Sequence, residues 1–144
     1  MSSAARAKAS PKRRVQRPAA QPVAPIVLDS SCWMEYFGDT ARADLFAPAV
    51  EAVEHLVVPV LTIYEVVKKL AREAGDETAA AALSLMQRGA IVAIDLPLAL
   101  DAAINGLPMA DSLIYATARR HGAEFWTQDA HFVGLAGVRY FAKP

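Results

Sequence analysis

The chain has 144 residues, of which 54% are hydrophobic, so it is long enough for one domain with a core and too apolar for a disordered or fibrous protein. Its single cysteine, Cys32, excludes an internal disulfide framework and a cysteine-rich zinc site, and it suits a reducing, cytoplasmic location. Fifteen basic and 15 acidic residues give a net charge of zero, but six of the basic residues lie in residues 1–25, so the rest of the chain has an acidic surplus, which argues against nucleic-acid binding through its overall charge.

Residues 1–25 differ in composition from the rest of the chain. They contain six basic residues and no acidic one among many Ala, Pro and Ser residues, and we expect them to form a disordered basic N-terminal extension. Three interpretations remain open: a dispensable segment, an arm that touches RNA, or an organelle transit peptide. No apolar run reaches the roughly 18 residues that span a bilayer, and we expect no secretory signal and no membrane association.

Short apolar strands alternate with helices through residues 26–144, which we expect to form one domain. Strands are predicted at residues 26–28, 57–58, 90–94, 124–126 and 138–140. Helices are predicted at residues 31–37, 42–54, 62–74 and 77–88, from the third strand to about residue 105, and at residues 108–121. Such an alternation is typical of parallel strands covered by helices on both faces. The sequence therefore predicts an α/β fold, a three-layer α/β/α sandwich with a central parallel sheet of four to five strands.

Four acidic residues are expected at one edge of this sheet. Asp29 follows the first strand and Asp129 follows the fourth. Glu65 lies in the predicted first turn of the helix after the second strand, and Asp111 lies in the first turn of the helix that Pro108 opens. Helices run antiparallel to the strands in such a fold, so strand ends and helix starts share the edge where α/β sheets bind ligands.

Each acid also has a possible structural explanation. Thr62 and Glu65 have the spacing of a capping box. Asp111 complements the dipole of its helix, and Asp129 could cap a turn at residues 130–132. Asp29 is harder to explain in this way, because an acid directly after a buried strand loses solvation unless something compensates it. The placement of all four at one edge favours a functional site.

Crowded carboxylates require a counter-charge. They repel one another, and a pocket raises their pKa values unless a cation is present. Hard oxygen ligands on a rigid frame suit Mg²⁺ or Mn²⁺ with waters completing the octahedron. Such an ion lowers the pKa of water and binds a phosphate oxygen, which is the chemistry of phosphodiester hydrolysis.

Three segments carry a family resemblance: IVLDSSCWMEYF, VPVLTIYEVVKKL and LPMADSLIYATARRHGAEFWTQDAHFVGLAGVRYF. Through them the chain resembles PIN-domain ribonucleases, specifically the VapC toxins of bacterial toxin–antitoxin pairs, from about residue 26 to residue 141. The ordered set of an Asp, a Glu, an Asp and a Thr-x-Asp, with its flanking residues, is the specific part of the likeness. The N-terminal extension is the main departure from the family's usual pattern, and no departure affects the four acids.

The resemblance implies a PIN domain over residues 26–144 that uses Mg²⁺, or Mn²⁺, to hydrolyse RNA, leaving a 3′-hydroxyl and a 5′-phosphate. The metal ligands and catalytic residues would be Asp29, Glu65, Asp111 and Asp129. Ser31 and Thr127 resemble the hydroxyls that line the same pocket. The likeness also implies a homodimer, an assembly with a VapB-like antitoxin, and an antitoxin segment that covers the cleft with a basic side chain among the acids.

Two other functions compete with that of a toxin ribonuclease. A phosphoacceptor receiver domain would need paired acids early in the chain and a Lys after a late strand, and neither is present. A catalytically silent PIN module that binds RNA or protein would have no physical reason to keep four mutually repelling acids. The ribonuclease is therefore the favoured hypothesis.

The histidines and the cysteine favour structural roles. His55, His121 and His131 have no metal-ligand spacing and are predicted to be surface or hydrogen-bonded residues. Cys32 is predicted to be a small buried core residue.

Overall fold

A computed structural model describes residues 24–144, so the predicted disordered extension lies outside it except for its last two residues. The strands within these residues are β1 (Ile26–Leu28), β2 (Val57–Pro59), β3 (Ala90–Val92), β4 (Glu124–Thr127) and β5 (Val138–Tyr140). Every strand pair is parallel: β1 pairs with β4, β4 with β5, and β2 with β3. A bridge between Ile26 and Leu56 joins the two groups, giving the order β3-β2-β1-β4-β5.

Six α-helices connect these strands within the described residues. They are α1 (Ser30–Phe37), α2 (Ala43–Glu51), α3 (Val60–Ala74), α4 (Asp76–Met86), α5 (Leu96–Ala103) and α6 (Met109–Arg120). Short 3₁₀ turns at Val53–His55 and Ala130–Phe132 precede β2 and β5. None of these helices is both long enough and apolar enough to cross a membrane.

The core lies on both faces of the sheet. On β1, Val27 packs in one cluster with residues of α6, and Leu28 packs in the other with residues of α1 to α4. On β4, Phe125 and Trp126 divide between the same two clusters. Successive side chains of a strand point to opposite faces, so these apolar runs fill two cores and hold helices on each side. The predicted three-layer α/β/α sandwich is confirmed.

The start of α3 corrects one prediction. The capping box at Thr62 and Glu65 is wrong, because the helix begins two residues earlier, at Val60. Pro59 has extended backbone with φ −61° and ψ 138°, so it ends β2 and starts the helix at once. Glu65 is consequently in the second turn. The Thr62 hydroxyl is buried inside the helix, with no hydrogen-bond partner among residues 24–144.

The strand order places β1 at a switch point. The chain goes from β1 to β2 and β3 on one side of the sheet, and then returns to β4 and β5 on the other side. In parallel α/β sheets the crevice outside such a switch point is where ligands bind. Asp29, the residue directly after β1, lies at this position.

Candidate active site

The carboxylate of Asp29 is buried and held by two neutral donors. Its Oδ2 accepts a 2.7 Å hydrogen bond from the Thr127 hydroxyl, and its Oδ1 accepts a 2.8 Å bond from the Ser30 backbone N–H. The Asp29 N–H donates to the carbonyl of Trp126 at 2.9 Å, which extends the β1–β4 ladder by one residue. The side chain is therefore fixed by both the sheet edge and the start of α1.

The protonation of Asp29 reflects this environment. Burial raises the pKa of Asp29 from its usual 3.8 to about 6, the bonds from Thr127 and Ser30 oppose the rise, and the charges of Asp111 and Glu65 add to it. Within residues 24–144, no Lys, Arg or His forms an ion pair with any of these three acids. The carboxylate is thus held in place without a neutralising partner.

Glu65 faces the site from the second turn of α3 and is half-buried. Burial raises its pKa, the nearby Ser30 hydroxyl opposes the rise, and the charge of Asp111 adds to it. The charge of Glu65 in turn acts on Asp29. The helix α3 therefore contributes to the cluster, although it begins two residues earlier than predicted.

Asp111 lies in the first turn of α6, as predicted. Pro108 precedes this helix and provides no side-chain capping bond, so Asp111 supplies the negative charge at the helix start. Burial raises the pKa of Asp111, the charge of Asp129 raises it further, and His131 lowers it. Asp111 therefore interacts electrostatically with all three of the other predicted acids.

Thr127 links two of the acids. Its hydroxyl donates to Asp29 and accepts a 3.0 Å bond from the Asp129 backbone N–H. Asp129 caps the following 3₁₀ turn by accepting from the His131 N–H at 2.9 Å, and its Oδ1 also lies 3.1 Å from His131 Nδ1. The predicted capping role of Asp129 is confirmed, and its carboxylate still acts on Asp111.

The donor set fits a hard divalent cation. Among residues 24–144, no group of three or more His, Cys, Asp or Glu side chains is arranged so that it could hold a metal ion. Mg²⁺ does not need such a group, because it commonly keeps several waters and uses one or two carboxylates. Asp29 and Asp111 supply carboxylate oxygens, which are the ligand type that Mg²⁺ and Mn²⁺ prefer, and each lies within the electrostatic influence of another acid.

The structure separates the two predicted hydroxyls. Thr127 contacts Asp29, whereas the buried Ser31 hydroxyl has no hydrogen-bond partner among residues 24–144 and lines a neighbouring groove. Two residues near the acids were not identified from the sequence, namely Ser30 beside Glu65 and His131 beside Asp129. Their positions immediately after Asp29 and in the turn capped by Asp129 were the available signals.

Comparisons with known proteins find the same fold elsewhere. The family model described as PIN domain matches residues 26–138. A toxin–antitoxin complex from Klebsiella pneumoniae has a TM-score of 0.66 at 23% identity, covering 79% of this chain and 95% of that one. Mycobacterium tuberculosis VapC20, described as a toxin that cleaves the sarcin–ricin loop, has a TM-score of 0.64 at 20% identity, covering 79% and 98%.

A third structure, DNA-bound VapBC from Salmonella typhimurium, has a TM-score of 0.62 at 14% identity and covers 83% of this chain and 98% of that one. At these identities the likeness establishes the fold. No curated protein matched the chain.

Proposed function

We propose a function for this chain, which belongs to the PIN domain family. It is a cytoplasmic, Mg²⁺- or Mn²⁺-dependent endoribonuclease and the toxin of a type II toxin–antitoxin pair. The observation that carries the proposal is the buried Asp29 carboxylate, which is fixed by Thr127 and surrounded by acidic rather than basic neighbours. Such an arrangement is unfavourable by itself and becomes favourable when a divalent cation is bound.

Asp29 and Asp111 are the proposed central metal ligands, with Glu65 and Asp129 on either side. A bound Mg²⁺ or Mn²⁺ supplies positive charge that lowers the pKa of water and offsets the charge of a phosphate oxygen. Thr127 positions Asp29 by donating to one carboxylate oxygen, while the Ser30 N–H binds the other. The backbone and side-chain bonds around Asp29 fix its direction before substrate arrives, as efficient catalysis requires.

RNA is the proposed substrate. The similarity to a toxin described as cleaving the sarcin–ricin loop supports RNA as the class of polymer. The folded part of the chain carries more acidic than basic residues, so attraction through overall charge is weak. Substrate binding must then depend on the metal and on local basic groups near the site.

The antitoxin is proposed to act on the same acids. Two of the similar structures are described as a toxin–antitoxin complex and as VapBC. Asp29, Glu65 and Asp111 have no ion-pair partner within residues 24–144. A basic side chain from a VapB-like partner would neutralise them in place of the metal, which would inhibit cleavage.

The proposed homodimer forms through α5 and Ile104, the residue that caps its C-terminal end. Leu96, Leu100 and Ile104 are spaced by four residues and are 71%, 61% and 86% exposed. Leu98 and Ala102 on the same segment are buried against α6, so α5 is apolar on two sides although the fold covers only one. A contiguous exposed apolar stripe of this kind is typical of an association surface.

Cleavage of RNA by single-residue variants tests the proposal. The wild type should cleave cellular RNA in Mg²⁺ and not in EDTA, and the products should carry 5′-phosphates. Asp29→Asn and Asp111→Asn should each abolish cleavage while the far-ultraviolet circular dichroism spectrum stays unchanged. Asp39→Asn, an exposed acid whose φ of 49° suits both residue types, is the matched control and should cleave normally.

Unchanged cleavage by both site variants would contradict the assignment of the acids. Binding of RNA or a protein partner without cleavage under any metal condition would instead indicate the catalytically silent PIN module.

A further inference from the structure

A groove of about 410 Å³ adjoins the acid cluster between α1 and the C-terminal half of α3. The residues used below line it: Ser31, Met34, Phe37, Lys69, Gln128 and Lys143. Ser31 is two residues after Asp29, and Gln128 lies between Thr127 and Asp129, so the groove neighbours the site, although the described residues that line it include none of the four acids. Its volume is within the range of about 300–1,000 Å³ that is typical of small-ligand sites.

Gln128 supplies a donor that the folded chain leaves unused. The residue is 6% exposed, and its Oε1 accepts a hydrogen bond from Arg42 Nε. Arg42 is anchored further by donating to the carbonyls of Phe141 and Ala142. This contact fixes which end of the amide is oxygen, so the Nε2 group is left buried with no acceptor among residues 24–144. A buried unpaired donor is costly, and a ligand oxygen would satisfy it.

The charges along the groove favour an anion. Its two acids are paired, since Glu35 lies 3.6 Å from Arg42 and Glu73 lies 3.5 Å from Arg72. Lys69 and Lys143 line the same groove and form no ion pair within the described residues. The groove therefore presents two available positive charges beside one neutral donor.

Apolar side chains complete the groove. Met34 and Phe37 are partly buried and pack on the core beneath them. A flat ring can lie against such side chains, while phosphate oxygens reach the lysines. An anion, a hydrogen-bond acceptor and a flat apolar ring together describe a nucleotide.

We propose that this groove is a subsite for the nucleotide of a single-stranded RNA adjacent to the phosphate that is cut. Lys69 and Lys143 bind its phosphate groups, and Gln128 Nε2 donates to an oxygen of its base or ribose. The proposal rests on the proposed ribonuclease function, in which an RNA strand bound at the acid cluster extends into the groove. It adds residues outside the acids that contribute to how tightly the RNA is held.

Binding of a fluorescently labelled, random-sequence, single-stranded RNA 10-mer tests the subsite. Fluorescence anisotropy is measured in the Asp111→Asn background, in which no cleavage is expected. Replacing both Lys69 and Lys143 with Gln should weaken binding and reduce the slope of log Kd against log salt by about 1.4, the value for two phosphate contacts on a single strand. Lys68→Gln is the matched control, because Lys68 is exposed on the same helix and does not line the groove.

Gln128→Met removes the donor at similar size. It should raise Kd about fivefold, as expected for one hydrogen bond, and leave the salt dependence unchanged. Because this variant also removes the acceptor of Arg42, its melting temperature is measured in parallel, and the lysine variants, which alter exposed side chains, decide the result if it fails to fold.

An affinity and salt dependence unchanged in the double lysine variant would overturn the subsite. If that variant instead lost binding of the antitoxin, the groove would be a protein-docking surface, which also overturns the proposal. Cleavage by the wild type is measured separately, so active enzyme with an unaffected double variant refutes the subsite alone. A wild type that neither cleaves nor binds RNA refutes the ribonuclease function itself.

Discussion

Two opposing effects act on the carboxylate of Asp29. Hydrogen bonds from Thr127 and Ser30 favour its charged form, while burial and the neighbouring acids disfavour it, and the balance leaves the pKa at about 6. The unfolded chain loses this proton near the ordinary value of 3.8. Above pH 6 the metal-free protein therefore holds a charge that the unfolded state accommodates better.

Asp29→Asn should stabilise the metal-free protein. At pH 7 the free energy of unfolding should rise by about 1–3 kcal/mol, since one pKa unit corresponds to about 1.4 kcal/mol. Because the pKa of Asp29 is higher in the native state, protonation of Asp29 stabilises the wild type. This stabilisation is fully present below about pH 4 and is lost as the pH rises through about 6. Urea unfolding in EDTA at pH 4 to 7 measures the difference between variant and wild type.

That difference should grow with pH and then level off above the native pKa. A difference that stays constant from pH 4 to pH 7 would mean that Asp29 titrates normally.

Thr127 is expected to matter through its hydroxyl. Thr127→Val removes the donor to Asp29 and the acceptor of the Asp129 N–H, both in a buried position. The free energy of unfolding should fall by about 1–3 kcal/mol, and the pKa of Asp29 should rise further. Thr127→Ser keeps the hydroxyl and should behave like the wild type in both urea unfolding and the pH dependence. A Val variant that matches the wild type in both measurements would show that the hydroxyl makes no such contribution.

At the scale of elements, local sequence signals placed most helices near their observed positions. Pro108 correctly indicated the start of α6 and so the first-turn position of Asp111. The capping-box spacing at Thr62 predicted the wrong start for α3, because Pro59 allows the helix to begin directly after β2. A capping-box spacing alone therefore did not locate the start of this helix.

The junction between α3 and α4 depends on Gly75. Its φ of 93° and ψ of 166° lie in a region that is essentially restricted to glycine. Gly75→Ala should lower the free energy of unfolding by about 1–3 kcal/mol, although a Cβ there would meet no atom within 4 Å. Ser84→Ala on the exposed side of α4 is the control and should have little effect. Urea unfolding compares the two, and equal stability would show that the junction relaxes without strain.

At the scale of the whole molecule, the sequence indicated which edge of the sheet holds the acids but not the strand order. The alternation of strands and helices is enough to predict a parallel sheet. The strand order could not be predicted in the same way, because the pairings of Ile26 with Leu56 and of β1 with β4 join segments that are distant in sequence. The bond between Thr127 and Asp29 spans 98 residues and follows from that pairing. The groove at Gln128 depends on the side-chain contact with Arg42, which no local pattern reveals.

The proposed dimer surface can be tested at this scale. Ile104→Asp places a charge in the most exposed part of the α5 stripe, so it should convert a dimer to a monomer in sedimentation velocity. Leu45→Asp is the matched control, because Leu45 is 44% exposed on α2 and lies outside the stripe. A dimer that survives Ile104→Asp would place the interface elsewhere.

Calorimetric titration of Mn²⁺ into the metal-free protein tests the central claim, that the acids converge to bind a divalent cation. The wild type should bind Mn²⁺, Asp39→Asn should bind it equally well, and Asp29→Asn and Asp111→Asn should lose most of the affinity. Equal binding by all four proteins, or no binding by the wild type at millimolar Mn²⁺, would contradict the account.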